Sequence, residues 1–265
     1  MLRFVVVGAV LAAGLASAAS AADLPARIAT KAPAMVAPVY NWGGFYLGLN
    51  GGGGWSDNCW TLVGVLGGPF PPTAAGCPSG TGGLAGGQIG YRWQAANWVF
   101  GLEAQGNWAN IKGSDLSPTG AFGGAGFAAV PVVNQTRTDA IGLFTGQVGY
   151  AWNHLLGYVK GGAALAHNVH NGTTQLPTGG FPAGFVFDEG TETRWGGVVG
   201  LGVEYGFAPN WSVAVEYDHL FMGRRDTTFL DYRGILDRTV SVRQDIDIAT
   251  VRVNYTFGRP VVARY

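Results

Sequence analysis

Apolar and polar residues alternate along much of this chain with a period of two. In Trp211-Ser-Val-Ala-Val-Glu-Tyr217, Trp211, Val213, Val215 and Tyr217 fall on one side, and Ser212, Ala214 and Glu216 on the other. That spacing is the mark of a strand with one oily and one polar face. Val199, Leu201, Val203, Tyr205 and Phe207 repeat it against Gly200, Gly202, Glu204 and Gly206, and Val251, Val253, Tyr255 and Phe257 repeat it against Arg252, Asn254 and Thr256. Aromatic residues crowd the ends of the oily rows. In a soluble sandwich such a face meets a second sheet; in a closed barrel in lipid it turns outward, between aromatic girdles, around a polar lumen.

The pattern predicts eight strands, at 44–55, 81–93, 98–110, 136–152, 155–170, 191–207, 211–222 and 242–257. Each is long enough to supply the nine to eleven residues of a tilted membrane crossing. Three connections are tight: 94–97, 153–154 and 208–210. Four are long and rich in Gly, Pro, Thr or charge: 56–80, 111–135, 171–190 and 223–241. Loops of that length are uncommon in compact soluble domains, whereas short periplasmic turns alternating with long external loops are the outer-membrane arrangement, and an even strand number leaves both termini in the periplasm. An unpaired backbone N–H or C=O in hydrocarbon costs several kcal/mol, so the sheet must close on itself. The predicted fold is therefore all-β, an eight-stranded antiparallel up-and-down transmembrane β-barrel, too narrow for a wide aqueous channel.

No shift in composition divides the 265 residues, so a single barrel domain is expected. Only 12% of residues are charged and the formal net charge is zero, which removes the electrostatic footprint of a nucleic-acid partner. The basic start Met1-Leu-Arg3, the apolar run from Phe4 to Leu15 and the small residues ending at Ala22 read as a signal peptide over 1–22, cleaved before Asp23 and directing export to the outer membrane of a Gram-negative bacterium. The alternative is an uncleaved anchor; the Ala, Gly and Ser of its second half speak against one. An Ala/Pro-rich periplasmic linker is expected over 23–42, the barrel over 43–258 and a C-terminal extension over 259–265.

Following the alternation inward places Arg92, Lys160 and Arg252 in the lumen with Glu103, Glu204 and Glu216, beside Gln88, Gln105 and Gln147. An Arg or Lys facing lipid near the midplane would cost roughly 2–4 kcal/mol, which constrains the phase of these strands; at Lys160 the alternative is a bulge at Gly161-Gly162, since Leu156 and Tyr158 share its side. Two readings stay open: an ion path or gated pore, and a satisfied polar core that plugs the lumen. The second is favoured because buried charges are tolerated only when paired. No nucleophile accompanies the carboxylates, and G-x-S-x-G, H-E-x-x-H and C-x-x-C are all missing, so no enzyme, catalytic residue, cofactor or metal is expected.

Cys59 and Cys77 share the first long loop in an oxidising compartment, where a disulfide is expected and two free thiols are the alternative. His167 and His170 could approach one metal but lack a third ligand, so solvated rim histidines are the simpler reading. Arg224, Arg225, Arg233, Arg238 and Arg243 gather around the last loop with Asp226, Asp231, Asp237, Asp245 and Asp247. Guanidinium groups there would suit the phosphates of lipopolysaccharide, although a self-paired, solvated loop explains them as well.

Asn41-Trp-Gly-Gly-Phe-Tyr-Leu-Gly-Leu-Asn50, Gly83-Leu-Ala-Gly-Gly-Gln-Ile-Gly-Tyr91 and the hairpin from Gly202 to Tyr217 resemble the RopB-type family of proteobacterial outer-membrane surface proteins, across nearly the whole mature chain. That family is similar to the small OmpA-type barrels. The resemblance implies a porin-family protein of the cell envelope with variable exposed loops, a role in envelope integrity, and in some relatives contact with hosts or surface ligands. Members commonly end at the aromatic of the last strand, which the assembly machinery reads. Here Phe257 is followed by Gly-Arg-Pro-Val-Val-Ala-Arg-Tyr265, leaving Tyr255, Phe257 and Tyr265 as candidate assembly signals.

The expected function is therefore a structural, surface-exposed outer-membrane barrel, in contact with outer-membrane lipid and lipopolysaccharide, with a plugged lumen. Its rivals are a small channel for passive diffusion, and a secreted soluble lipocalin-like binder whose inside would be oily and outside polar.

Overall fold

The computed structural model describes residues 40–117, 132–177, 182–231 and 233–257. Nine strands lie among them: β1 Gly44–Val65, β2 Gly68–Gly76, β3 Ser79–Ala95, β4 Trp98–Leu116, β5 Val132–Trp152, β6 Leu155–Thr174, β7 Val186–Ala208, β8 Trp211–Asp231 and β9 Leu236–Thr256. All pairs are antiparallel neighbours in the chain, save that β1 pairs with β3 on one side and with β9 on the other, which closes the ring. The last rungs of that closure reach Phe257, whose N–H donates to the Phe45 carbonyl.

The count corrects the expected eight. The additional strand, β2, pairs with β1 alone, from Trp60 to Val65, and its sequence Gly-Pro-Phe-Pro-Pro-Thr-Ala-Ala-Gly looks unlike a strand. Proline cannot donate to a ladder and so survives in a sheet only on an edge, and an edge is what β2 is. Its turn places Leu66 and Gly67 at φ of 50° and 80°, the left-handed pair that a two-residue hairpin requires.

The long loops are also corrected. β1 continues to Val65, β4 to Leu116 and β8 to Asp231, and β5, β7 and β9 begin well before the expected boundaries. What reads as loop is largely wall that rises beyond the membrane. The three tight turns lie where expected, with Ala96, Asn153 and Asn210 in the left-handed region.

The apolar rows face out. Leu49, Leu102, Val159, Leu201, Val203, Val215 and Val251 are all more than half exposed. Phe45, Trp93, Trp98, Trp152, Phe207, Trp211 and Phe257 ring one end of this belt, and Trp55, Trp108, Trp195 and Phe221 ring the other. The span from Trp98 to Trp108 on β4, like that from Trp211 to Phe221 on β8, matches one tilted crossing. A soluble ligand-binding barrel requires the reverse arrangement.

The expected signal peptide and cleavage site, the expected linker up to residue 39, the segment 118–131 and the expected extension with Tyr265 lie outside the described residues.

Candidate functional site

The inward positions of β9 pass through the whole interior, from Asn254 and Arg252 through Ile248, Ile246 and Gln244 to Val242, Val240 and Arg238. They pass in turn through the charged, apolar, thin polar and outermost layers.

At the short-turn end lies an aromatic layer. Tyr40 and Trp42, the last residues before β1, are buried with Val99, Ala151, Leu156 and Tyr158, although the sequence assigns both to the linker. The Trp42 N–H donates to Gln94 Oε1 at 2.8 Å and its indole Nε1 to the Asn153 carbonyl at 3.2 Å.

Above lies the charged layer, in which the structure brings all six expected residues together. Arg92 forms a two-pronged bridge to Glu204, at 3.1 and 2.7 Å. Lys160 Nζ is 2.6 Å from Glu216 and 3.6 Å from Glu103, and Arg252 pairs with both of those carboxylates through its two terminal nitrogens. All six are buried. Glu204 also accepts from Ser212 and, at 3.0 Å, from Asn254 Nδ2.

Three further members escaped the sequence reading. Asp218 lies 3.2 Å from Lys160; two residues beyond Glu216, it shares that strand face, and the alternation could have found it. Tyr46 and Tyr158 donate to Glu103 and Glu216, each at 2.6 Å. Arg92 stacks over the Tyr46 ring, 4.4 Å from its centroid. Each phenol crosses a glycine directly opposite it, Gly90 for Tyr46 and Gly202 for Tyr158. A Cβ on either glycine would meet the phenol ring. This Tyr–Gly complementarity depends on strand register and has no trace in a single strand.

Next comes a layer with no charge. Leu84, Ile111, Ile141, Leu143, Leu220, Ile246 and Ile248 meet inside the barrel with Ala164, Ala166, Val198 and Met222. The expectation of a polar lumen is corrected here, because part of it is as apolar as a soluble core. A thin polar rung follows, in which Thr138 donates to Asn168 at 2.7 Å and Asn168 to Gln244 at 2.9 Å.

The outermost layer stands beyond the aromatic ring. Trp60, Leu62, Phe229, Val240 and Val242 pack together, and Arg238 donates to Asp188 at 2.6 Å and to Asn134 at 3.2 Å. Arg238 is thus an interior residue and not part of a loop cluster. Burial pushes the Asp188 carboxyl up to about 6 despite the neighbouring guanidinium. His170 lies edge-on to Trp60, beside Glu192 at 3.1 Å, and burial lowers its pKa.

His167 faces outward, with Asp139 at 2.6 Å, so the two histidines stand on opposite faces of β6 and cannot share a metal. Arg233 pairs with Asp231 at 3.0 Å and Arg243 reaches Asp245 at 3.5 Å. Arg225 donates to the Thr193 carbonyl, where the ladder between β7 and β8 is interrupted from Gly190 to Gly196. Cys59 and Cys77 form a disulfide closing 18 residues of chain, a constraint of about 3 kcal/mol in the chain-entropy view. Tyr255 and Phe257 end the last strand on the outward face, their rings 4.9 Å apart.

Residues 7–218 match the autotransporter beta-domain family. The chain is 28% identical to the 31 kDa outer-membrane immunogenic protein of Brucella melitensis over 95% of its own length and 99% of the relative's. Among solved structures it is similar to the outer-membrane protease OmpT of Escherichia coli, with a TM-score of 0.48 and 11% identity over 81% of this chain and 97% of that one. It is also similar to the outer-membrane protein OprG of Pseudomonas aeruginosa, with a TM-score of 0.43 and 14% identity over 81% and 97%.

Proposed function

The chain belongs to the autotransporter beta-domain family and is an outer-membrane β-barrel, and on that footing we propose that it serves as a closed structural element of the envelope and not as a pore. One observation supports the reading: the apolar residues from Leu84 to Ile248 cluster inside the barrel between the charged network and the external end, with Leu143, Ala164, Leu220, Ile246 and Ile248 fully buried. An ion crossing it would shed its hydration with no polar group to replace water, at a cost of several kcal/mol or more. The charged residues beneath are bound to one another and offer no free path.

The reading assigns no enzymatic step to the protein, since Glu103, Glu204 and Glu216 each hold a buried cation. The external end, raised above the membrane by the long strands, is the part that meets the medium and any host or surface ligand. The description of the Brucella relative as immunogenic fits a protein whose outer end is reached by antibodies. Tyr255 or Phe257, at the end of the closing strand, would be read by the assembly machinery.

Reconstitution into planar bilayers tests the proposal. The expected record is silent, with insertion verified by heat-modifiable migration of the same sample. Discrete conductance steps from the wild-type protein would establish the channel reading instead.

A further inference from the structure

On the outer wall, above the ring of Trp55, Trp108, Trp195 and Phe221, Lys112 of β4 stands directly opposite Arg137 of β5. Both are exposed. Like charges placed opposite one another across an antiparallel pair repel and weaken the ladder. Among the described residues neither cation has an ion-pair partner: Asp139, two positions along β5, is held by His167, and Asp115 accepts from the backbone N–H of Cys77. The connecting segment 117–131 contains no acidic residue. A second like-charged pair, Arg224 opposite Arg243, differs in that Arg243 has Asp245 within reach.

Between Lys112 and Arg137 the wall is indented by a depression of about 420 Å³, lined also by Ser114, Gln135 and Asn171. Two cations with a hydroxyl and two amides around them form the donor set of a phosphate site, in which charge-assisted hydrogen bonds do most of the binding. Its height selects the ligand. Trp108, 81% exposed, marks the outer edge of the hydrocarbon, and Lys112 lies four residues further along the same face. At about 3.3 Å per residue and the usual strand tilt the cations stand roughly 10 Å above that edge. They face sideways, into the headgroup zone of the outer leaflet, and not upward to the medium.

We propose that Lys112 and Arg137 bind a phosphate on the saccharide headgroup of an outer-leaflet glycolipid, of the lipid A kind, which supplies the countercharge that no described residue provides. The proposal rests on the membrane placement of the barrel and is independent of whether the lumen conducts.

The test compares the wild-type protein, refolded in a zwitterionic detergent, with K112Q/R137Q and with R224Q/R243Q as a control of equal charge loss. Binding of bisphosphorylated lipid A, of dephosphorylated lipid A and of inorganic phosphate is read by native mass spectrometry, and heat-modifiable migration establishes that each variant is folded. The expected result is retention of bisphosphorylated lipid A by the wild type and by R224Q/R243Q, a loss on the order of tenfold in K112Q/R137Q, and weak binding of the dephosphorylated lipid by all three. Equal losses in both double variants, or equal binding of both lipids by the wild type, would overturn the site. Inorganic phosphate displacing the lipid at comparable concentration would overturn its assignment to a headgroup. A failure of the barrel reading would appear separately, as loss of the heat-modifiable band.

Discussion

Arg92 illustrates what a buried charge does in this lumen. Its guanidinium is held in plane by the two oxygens of Glu204 and supported on one face by Tyr46. Removing it by Arg92→Met leaves Glu204 buried with only Ser212 and Asn254 as donors, and stranding a buried ion in this way typically costs about 3–5 kcal/mol. Removing both partners together, as Arg92→Met with Glu204→Met, restores an uncharged pair of similar volume and should recover most of that loss. Urea unfolding in lipid vesicles, followed by the migration shift, measures both variants; a single substitution without effect would show that the network contributes no stability. At Lys160 the apolar Leu156 on the same side and the following Gly161-Gly162 blurred the phase, whereas Arg92, Glu103, Glu204, Glu216 and Arg252 were legible in the sequence because the alternation of each strand leaves an Arg or Glu only one tolerable side. The phenols of Tyr46 and Tyr158 were not, because what selects them is the glycine across the ladder, and register is a property of two strands.

At the scale of the strands, the external ends behave differently from the crossings. Within hydrocarbon the wall must be oily on the outside, and the resulting period of two made the crossings readable. Above the outer aromatic ring both faces can be polar, so the ends of β1, β4, β7, β8 and β9 carry Gly, Thr, Asp and Arg and resemble loops. The interior contacts of those ends keep them in strand form, and the Arg238–Asp188 bridge between β9 and β7 is one such contact. Asp188 lies well beyond Trp195, outside the membrane, with its carboxyl raised to about 6 by burial, against about 3.9 in an unfolded chain. A raised acid binds its proton more tightly in the fold. Its contribution to stability is therefore complete below about pH 4, declines as pH rises and is gone above about pH 6. His170, lowered by burial, acts in the opposite direction, its contribution being present above about pH 6.5 and lost as pH falls. Comparison with Asp188→Asn cancels that second slope. Relative to this variant, the wild type should lose stability between pH 4 and 6, as read by thermal unfolding in detergent at a series of pH values. A constant difference across that range would mean that the carboxyl titrates as if exposed.

For the whole molecule the two ends of the barrel differ in construction, and the difference sets its orientation. At one end the strands are joined by turns of minimum length, Tyr40 and Trp42 are buried inside the barrel, and the chain enters and leaves beside the ring of Phe45 and Phe257. At the other end the strands overshoot the aromatic belt, carry a disulfide-closed flap on β1 and hold a core of their own around Trp60. A disulfide forms in an oxidising space and the tall end cannot be threaded cheaply through lipid after closure, so the tall end should face the medium. A protease cleavage site inserted at Gly234, between β8 and β9, should then be cut in intact cells, while the same insertion at His154, between β5 and β6, should be cut only after the outer membrane is permeabilised. At the tall end Trp60, Leu62, Phe229, Val240 and Val242 pack together inside the wall and Arg238 is bound to Asp188. A cut at Gly234 should therefore nick the surface without releasing the strands, and both fragments should still migrate together until the sample is boiled. Cleavage at His154 in intact cells, with protection at Gly234, would invert the molecule in the membrane and place the Lys112–Arg137 depression in the wrong leaflet.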